Sequence, residues 1–240
     1  MGEHRESLRR EGRLMLNVLS AGAAKAVVTA VAKDAGVELA GAFGAVGAMQ
    51  DKLVAGEPCD VIVLTRTMID DLAAAGRVDI ATIGDLGRIY TGIAIKRGAA
   101  LPNIARSSGL GIALLGADAL YVPDLKKSTA GRHIAEMLDA LGISTEVAPR
   151  LKEFPNGAAA MKAMAESGGE FAIGCTQASE ILYTDGVTLV GPLPGEFELA
   201  TLYSAAACNS AADLPAAQSF VRRLTGLLAQ RVRQKAGFEP

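Results

Sequence analysis

"CDVIVLTRTMIDDLAAAG", Cys59 to Gly76, is an almost unbroken apolar run, then a helical pattern, then a glycine. The run Cys59–Thr65 lacks the alternation of a strand with one wet face. It reads as a strand buried on both faces, as in parallel sheets covered by helices. The helix "RTMIDDLAAAG" closes at Gly76, a residue that tolerates the left-handed turn at a helix end. A doubly buried strand feeding a helix needs neighbours of the same kind, and the flanking sequence supplies more such pairs.

Upstream, "LNVLSAGAAKAVV" gives a strand over Leu16–Ser20 and a helix over roughly Ala24–Ala35. "VELAGAFG" is a second strand ending at Gly44, and "VGAMQDKLVAG" a second helix stopped by Gly56. The series βαβαβα implies right-handed crossovers and a parallel sheet. Downstream, "GRIYTGIAIKRGA", Gly87 to Ala99, is a long alternating strand. A similar series follows it. "ADALYVPD" is a strand and "STAGRHIAEMLDALG" a helix with Ser128 or Thr129 as cap. "TEVAPRLKEF" is a short strand region, "NGAAAMKAMAESG" a helix, and "EFAIGCTQASEIL" a strand running into a turn and helix. "VTLVGPLPGEFE" is a strand broken by prolines. "LATLYSAAAC", Leu199 to Cys208, is a second long strand, and the last helix starts near Leu214. The expected layout is two α/β lobes joined by the two long strands. Lobe one takes 14–93 and 200–240, lobe two takes 94–199, and 1–13 is a charged tail in which His4 has no role.

The chain has 240 residues, half of them apolar, with 27 glycines, 4% aromatics and no Trp. Its core is therefore aliphatic. A net charge of −2 and few aromatics argue against a nucleic-acid partner. The basic "FVRRLTGLLAQRVRQK" carries Phe220, Val221, Leu224, Leu227, Leu228 and Val232 at helical spacing, so it reads as a surface helix with a solvated basic face. Cys59, Cys175 and Cys208 form no CxxC, and with His4 and His133 as the two histidines no metal site or cofactor is expected. The scattered cysteines read as small buried hydrophobes that suit a reducing compartment. No membrane-spanning segment and no leader is readable, so the expected location is the cytoplasm as the chain stands, or the periplasm if a leader has been removed.

Ligands of open α/β sheets bind beyond the carboxyl ends of the strands. Six strand-end turns are candidates. The first lobe offers Ser20-Ala21-Gly22-Ala23, Gly44-Ala45-Val46-Gly47 and Thr65-Arg66-Thr67. The second offers Thr129-Ala130-Gly131, Pro155-Asn156-Gly157 and Cys175-Thr176-Gln177. Their small residues bare backbone N–H groups at helix N-termini, which favours an anion without a full positive charge. Lys25 and Arg66 either complement that anion or are solvated charges. His133 lies in a first helical turn. Asp70-Asp71 are neighbours on a helix, do not share a face and read as a surface feature. No Walker loop or nucleophile elbow is present.

"LNVLSAGAAKAV", "FGAVGAMQDKLVAGEPCDVIVLT", "LGRIYTGIAIKRGA", "IGCTQASEI" and "LVGPLPGEFE", in this order, resemble the molybdate-binding-protein-like branch of ABC-transporter solute-binding proteins. The resemblance runs from about Leu16 to Phe238. It implies a two-lobed type 2 periplasmic-binding-protein fold that captures a small anion in an inter-lobe cleft and delivers it to an ABC permease. Molybdate binders of this family hold the oxyanion with serine hydroxyls and backbone amides. One serine position is Ala23 here and another falls within Ala45-Val46-Gly47. Their tyrosine falls at Cys175, and their amide positions match Ala130 and Pro155-Asn156. Each missing hydroxyl bond to a charged ligand is worth about 1.5–3 kcal/mol, which points to an anion other than molybdate or tungstate. An aconitate isomerase-like side branch of the same fold is similar through "GCTQASE" and "VGPLP". It implies the alternative: a soluble isomerase of a small polycarboxylate, with Lys25, His133 and Glu180 as candidate proton carriers.

Overall fold

The computed structural model describes residues 9–10 and 13–240. His4 and most of the charged tail lie outside the described residues. The chain forms two compact units. One runs to Arg88 and resumes at Leu202–Pro240; the other is Ile89–Thr201.

The elements of the first segment are β1 (Arg9–Arg10), β2 (Arg13–Ala21), α1 (Lys25–Ala35), β3 (Val37–Gly44), α2 (Val46–Val54), β4 (Val61–Thr65) and α3 (Arg66–Ala74). The middle segment holds β5 (Gly84–Lys96), α4 (Ser107–Gly116), β6 (Ala119–Pro123), α5 (Thr129–Ala140), α6 (Ser144–Val147), β7 (Leu151–Phe154) and α7 (Gly157–Ala165). It continues with β8 (Ala172–Gln177), α8 (Ala178–Leu182) and β9 (Val187–Pro192). The chain ends with β10 (Ala200–Ala207), α9 (Leu214–Thr225) and α10 (Gln230–Lys235).

In the first unit, β3, β2 and β4 are parallel neighbours, with Ala21 opposite Gly44 and Ser20 opposite Val63. Val61, Ile62, Val63 and Leu64 are fully buried, as a strand covered by helices on both faces requires. β10 returns antiparallel along β4. The buried Asp60 ties these strands together. Its carboxylate accepts from Asn17 N at 2.7 Å, Asn17 Nδ2 at 3.1 Å and Ala212 N at 2.8 Å. Gly41 is obligatory in β3: its φ is +118, and a Cβ there would lie 2.1 Å from Val18 O. The tail supplies the short strand β1, antiparallel to β2.

The basic C-terminal stretch departs from the expectation of one helix. α9 stops before Gly226, where a Cβ would sit 2.6 Å from Arg222 O. Leu227 and Leu228 then face outward, 86% and 92% exposed. Arg233 Nη1 donates to Leu224 O at 2.7 Å and Gly226 O at 2.9 Å, closing the carbonyl end of α9.

In the second unit, β6 lies parallel between β7 and β8, and β5 runs antiparallel to β8 and to β9. Along β6, Leu120 and Val122 join one core cluster with Leu110, Ile134 and Met137. Ala119 and Tyr121 join the other, with Met161 and Met164 of α7. The two-residue period of the strand sends alternate side chains into the two cores. None of the described helices is long and apolar enough to cross a membrane.

Candidate functional site

The three parallel strands of the first unit end on one edge, and each feeds a helix. The turn after β2 is a 3₁₀ segment, Gly22–Ala24, whose residues are buried. α1, α2 and α3 open at Ala24, Ala45 and Thr65, and none of these N-cap residues makes a side-chain cap hydrogen bond. Elsewhere α5 is capped by Ser128, α7 by Asn156 and α9 by Asp213, while α4, α6, α8 and α10 also begin without a side-chain cap. What sets α1, α2 and α3 apart is that they open on one sheet edge. Helix N-termini carry donor N–H groups and partial positive charge. Three of them without side-chain acceptors on one sheet edge form an anion-attracting surface. Ser20 is fully buried and donates to Ala21 O at 3.0 Å, so its hydroxyl proton is engaged locally.

The two cations of this edge differ. Lys25 starts α1, is exposed, and lies 5.8 Å from the centroid of the Phe43 ring. Arg66 starts α3 and is engaged by two carboxylates, Asp70 at 2.9 Å and Asp85 at 3.0 Å. Those bonds, that to Asp70 first, raise its pKa further. Ser204 Oγ also donates to Asp85, at 2.6 Å. Arg66 is thus held by its own chain, and no local sequence pattern places Asp85 or Ser204 beside it. Asp70 and Asp71 are both exposed, as the surface reading required.

In the second unit the candidate turns separate. Thr129 is the first residue of α5, and its buried hydroxyl has no partner among the described residues. Ala130 packs into the core. Gly131 N donates to Ser128 Oγ at 3.3 Å, and its Cα lies so close to the chain that a Cβ would be 2.1 Å from Asp124 O. His133 Nε2 donates to Phe197 O at 2.7 Å.

The Pro155-Asn156-Gly157 turn is filled from within. Glu180, in α8, is buried; its carboxylate accepts from Gly157 N and Ala158 N and, at 2.6 Å, from Thr176 Oγ1. Asn156 Oδ1 takes Ala159 N at 2.9 Å. The first three amides of α7 therefore have acceptors already. Burial pushes the Glu180 carboxyl up to about 7 against the pull of these bonds, and burial together with that charge pushes the Tyr183 hydroxyl above its ordinary range.

Cys175 shares the inner face of β8 with Ile173 and lines an apolar void of ≈ 10 Å³ with Leu120, Ile134 and Met137. That is too small for a ligand and barely room for one water. Burial pushes its thiol up to about 12. Cys175 serves the core and leaves the candidate set. Two residues on, Gln177 is buried with Nε2 donating to Thr201 Oγ1 at 3.3 Å. Its Oε1 and the hydroxyl of Thr91, directly opposite on β5, have no partner among the described residues. Thr91 escaped the sequence reading because it lies mid-strand. A separate apolar depression of ≈ 200 Å³ is lined by Ile95, Pro102, Ile112, Gly116 and Phe171, and includes none of the candidate residues. Among the described residues no cluster of His, Cys, Asp and Glu could hold a metal ion.

A family model described as bacterial extracellular solute-binding protein matches residues 16–239. The chain belongs to that family. Among solved structures, it is similar to the periplasmic molybdate-binding protein of Azotobacter vinelandii, with a TM-score of 0.74 and 17% identity, covering 94% of this chain and 99% of that one. The sulfate-binding protein SubI of Mycobacterium tuberculosis H37Rv gives a TM-score of 0.70 and 19% identity, covering 94% of this chain and 86% of that one. The fold is that of the type 2 periplasmic binding proteins. Among curated proteins, an aconitate isomerase of Pseudomonas sp is 26% identical over 235 residues, covering 94% of this chain and 87% of the relative.

Proposed function

We propose that this solute-binding protein captures a small anion, an oxyanion or small polycarboxylate, and hands it to an ABC permease outside the cytoplasm. The observation that carries the reading is the sheet edge of the first unit, where α1, α2 and α3 begin without side-chain caps. Gly22–Ala24, Ala45–Gly47 and Thr65–Arg66 supply the donors, with Lys25 as the nearby cation. Both named structural neighbours bind anions, which supports the class. The alanines at Ala23 and Ala45 leave recognition to amides, which suits carboxylates as well as tetrahedral oxyanions.

The test is a thermal-shift and calorimetric series with molybdate, sulfate, citrate and trans-aconitate. An anion at a hundred times its Kd stabilises by about 2.7 kcal/mol, a Tm rise of roughly 5–10 °C for a chain of this size. No shift with any of the four overturns the reading.

A second reading, isomerisation of a small polycarboxylate, is favoured by the aconitate isomerase relative. Two of its candidate proton carriers, His133 and Glu180, are already engaged with their own chain. Incubating trans-aconitate with the protein in deuterium oxide separates the two. Movement of the double bond or deuterium uptake supports the isomerase, and binding without exchange supports the carrier.

A further inference from the structure

Two thiols far apart in sequence meet in the first unit. Cys59 precedes β4 and Cys208 follows β10; Cys208 Sγ lies 3.5 Å from Cys59 Sγ. Both side chains are buried, 4% and 0% exposed. The backbone on each side is pinned. Cys208 N donates to Asp60 O at 2.9 Å, Asp60 N donates to Asn17 O at 2.8 Å, and Cys208 bridges to Val78. Cys59 Sγ also approaches Val61 O at 3.3 Å. The sulfurs of a disulfide lie about 2 Å apart. A gap of about 1.5 Å therefore separates the two thiols from a bonded pair.

We propose that Cys59 and Cys208 are a cross-linking pair that becomes a disulfide as the protein folds in the presence of a small-molecule disulfide. One cysteine thiolate attacks the oxidant, forming a mixed disulfide and releasing one small thiol. The second cysteine thiolate then attacks the protein sulfur of that mixed disulfide and releases the other small thiol. The two protein thiols give up two protons and two electrons, and one oxidant disulfide becomes two thiols. In the finished fold the Cys208 thiol is held above its ordinary range by its bond to Cys59 and then by burial, so the reactive thiolate is suppressed. The exchange therefore belongs to the folding chain, before β10 seals the pair. Cys175, buried in the core of the other unit, takes no part. For its oxidant the proposal rests on the extracytoplasmic reading above; its chemistry is independent of the solute.

The experiment refolds the reduced full chain in mixed oxidised and reduced glutathione, alkylates it in denaturant and maps the peptides by mass. The expected result is a Cys59–Cys208 linked peptide, an alkylated Cys175 and a protein two hydrogens lighter before alkylation. Cys175→Ala keeps the link and Cys59→Ala abolishes it. The linked protein melts roughly 10 °C above the same sample with reductant, because the bond closes a long loop. Alkylation of both Cys59 and Cys208, glutathione on either one, or a link through Cys175 overturns the proposal. Solute binding is measured separately on the same samples, so failure of the link leaves the anion reading untouched, and the reverse.

Discussion

Glu180→Gln isolates a buried carboxyl that titrates near neutral pH. The buried Glu180 carboxyl sits at about 7 in the folded state against an ordinary 4.5, with burial the leading cause. Between those two values the folded chain keeps a proton that the unfolded chain has released. Stability from this group is therefore fully present below 4.5 and is lost as pH rises through about 7. At about 1.36 kcal/mol per pH unit, the window is worth about 3 kcal/mol. Glutamine has the same shape and does not titrate, and its amide oxygen can still accept from Gly157 and Ala158. Urea unfolding of both proteins at intervals from about pH 4 to about pH 8 gives the difference in stability, in which other titrations cancel. The wild type loses about 3 kcal/mol relative to the variant across that range. A difference that stays constant within about 0.5 kcal/mol refutes the assignment of that buried proton to Glu180.

Other perturbations probe the same frame. Gly157→Ala puts a Cβ 1.9 Å from Thr176 Oγ1 and 2.0 Å from Glu180 Oε2; expelling the carboxylate costs about 3 kcal/mol in chemical denaturation. Asp60→Ala strips an acceptor from three N–H donors, two on the half-buried Asn17 and one on Ala212, and a loss of about 3 kcal/mol is expected in the same assay. Ala45→Asp gives α2 the carboxylate cap it lacks. Its carboxylate occupies the amides the anion would use and removes the thermal shift the anion produces. An undiminished anion shift in that variant takes the α2 terminus out of the site.

The parallel frame was legible because its evidence is local. Apolar runs, glycine stops and turn composition located β3, β4 and α1 to within two residues at either end. α4 was not legible. "SSGLGIALLG" is apolar on every side and rich in glycine, so it shows no stripe, and Ile112 in it is 73% exposed. The continuation of the last helix through Leu227 and Leu228 failed at Gly226, where the backbone passes too close to Arg222 O for a side chain. At the candidate site, composition identified the small-residue turns and could not tell filled from open. Whether the amides of α7 are available depends on Glu180, which reaches them from a different element. Cys175 was separable in principle, since it shares its strand face with Ile173, a core residue. Nothing in local sequence joins Cys59 to Cys208, or Arg66 to Asp85 and Ser204.

The detour of the chain through Ile89–Thr201 has a consequence for synthesis. β4 leaves the ribosome early, yet the strand that covers it, β10, follows only after the whole second unit. At roughly 5–20 residues per second, that gap lasts on the order of ten seconds. During it the buried strand β4 has an open edge, while the second unit is made in one continuous stretch. The unit that begins first is the one that finishes last. It is there that a holdase chaperone has most to protect, and mutations weakening β10 will show first as aggregation of nascent chains rather than as loss of binding.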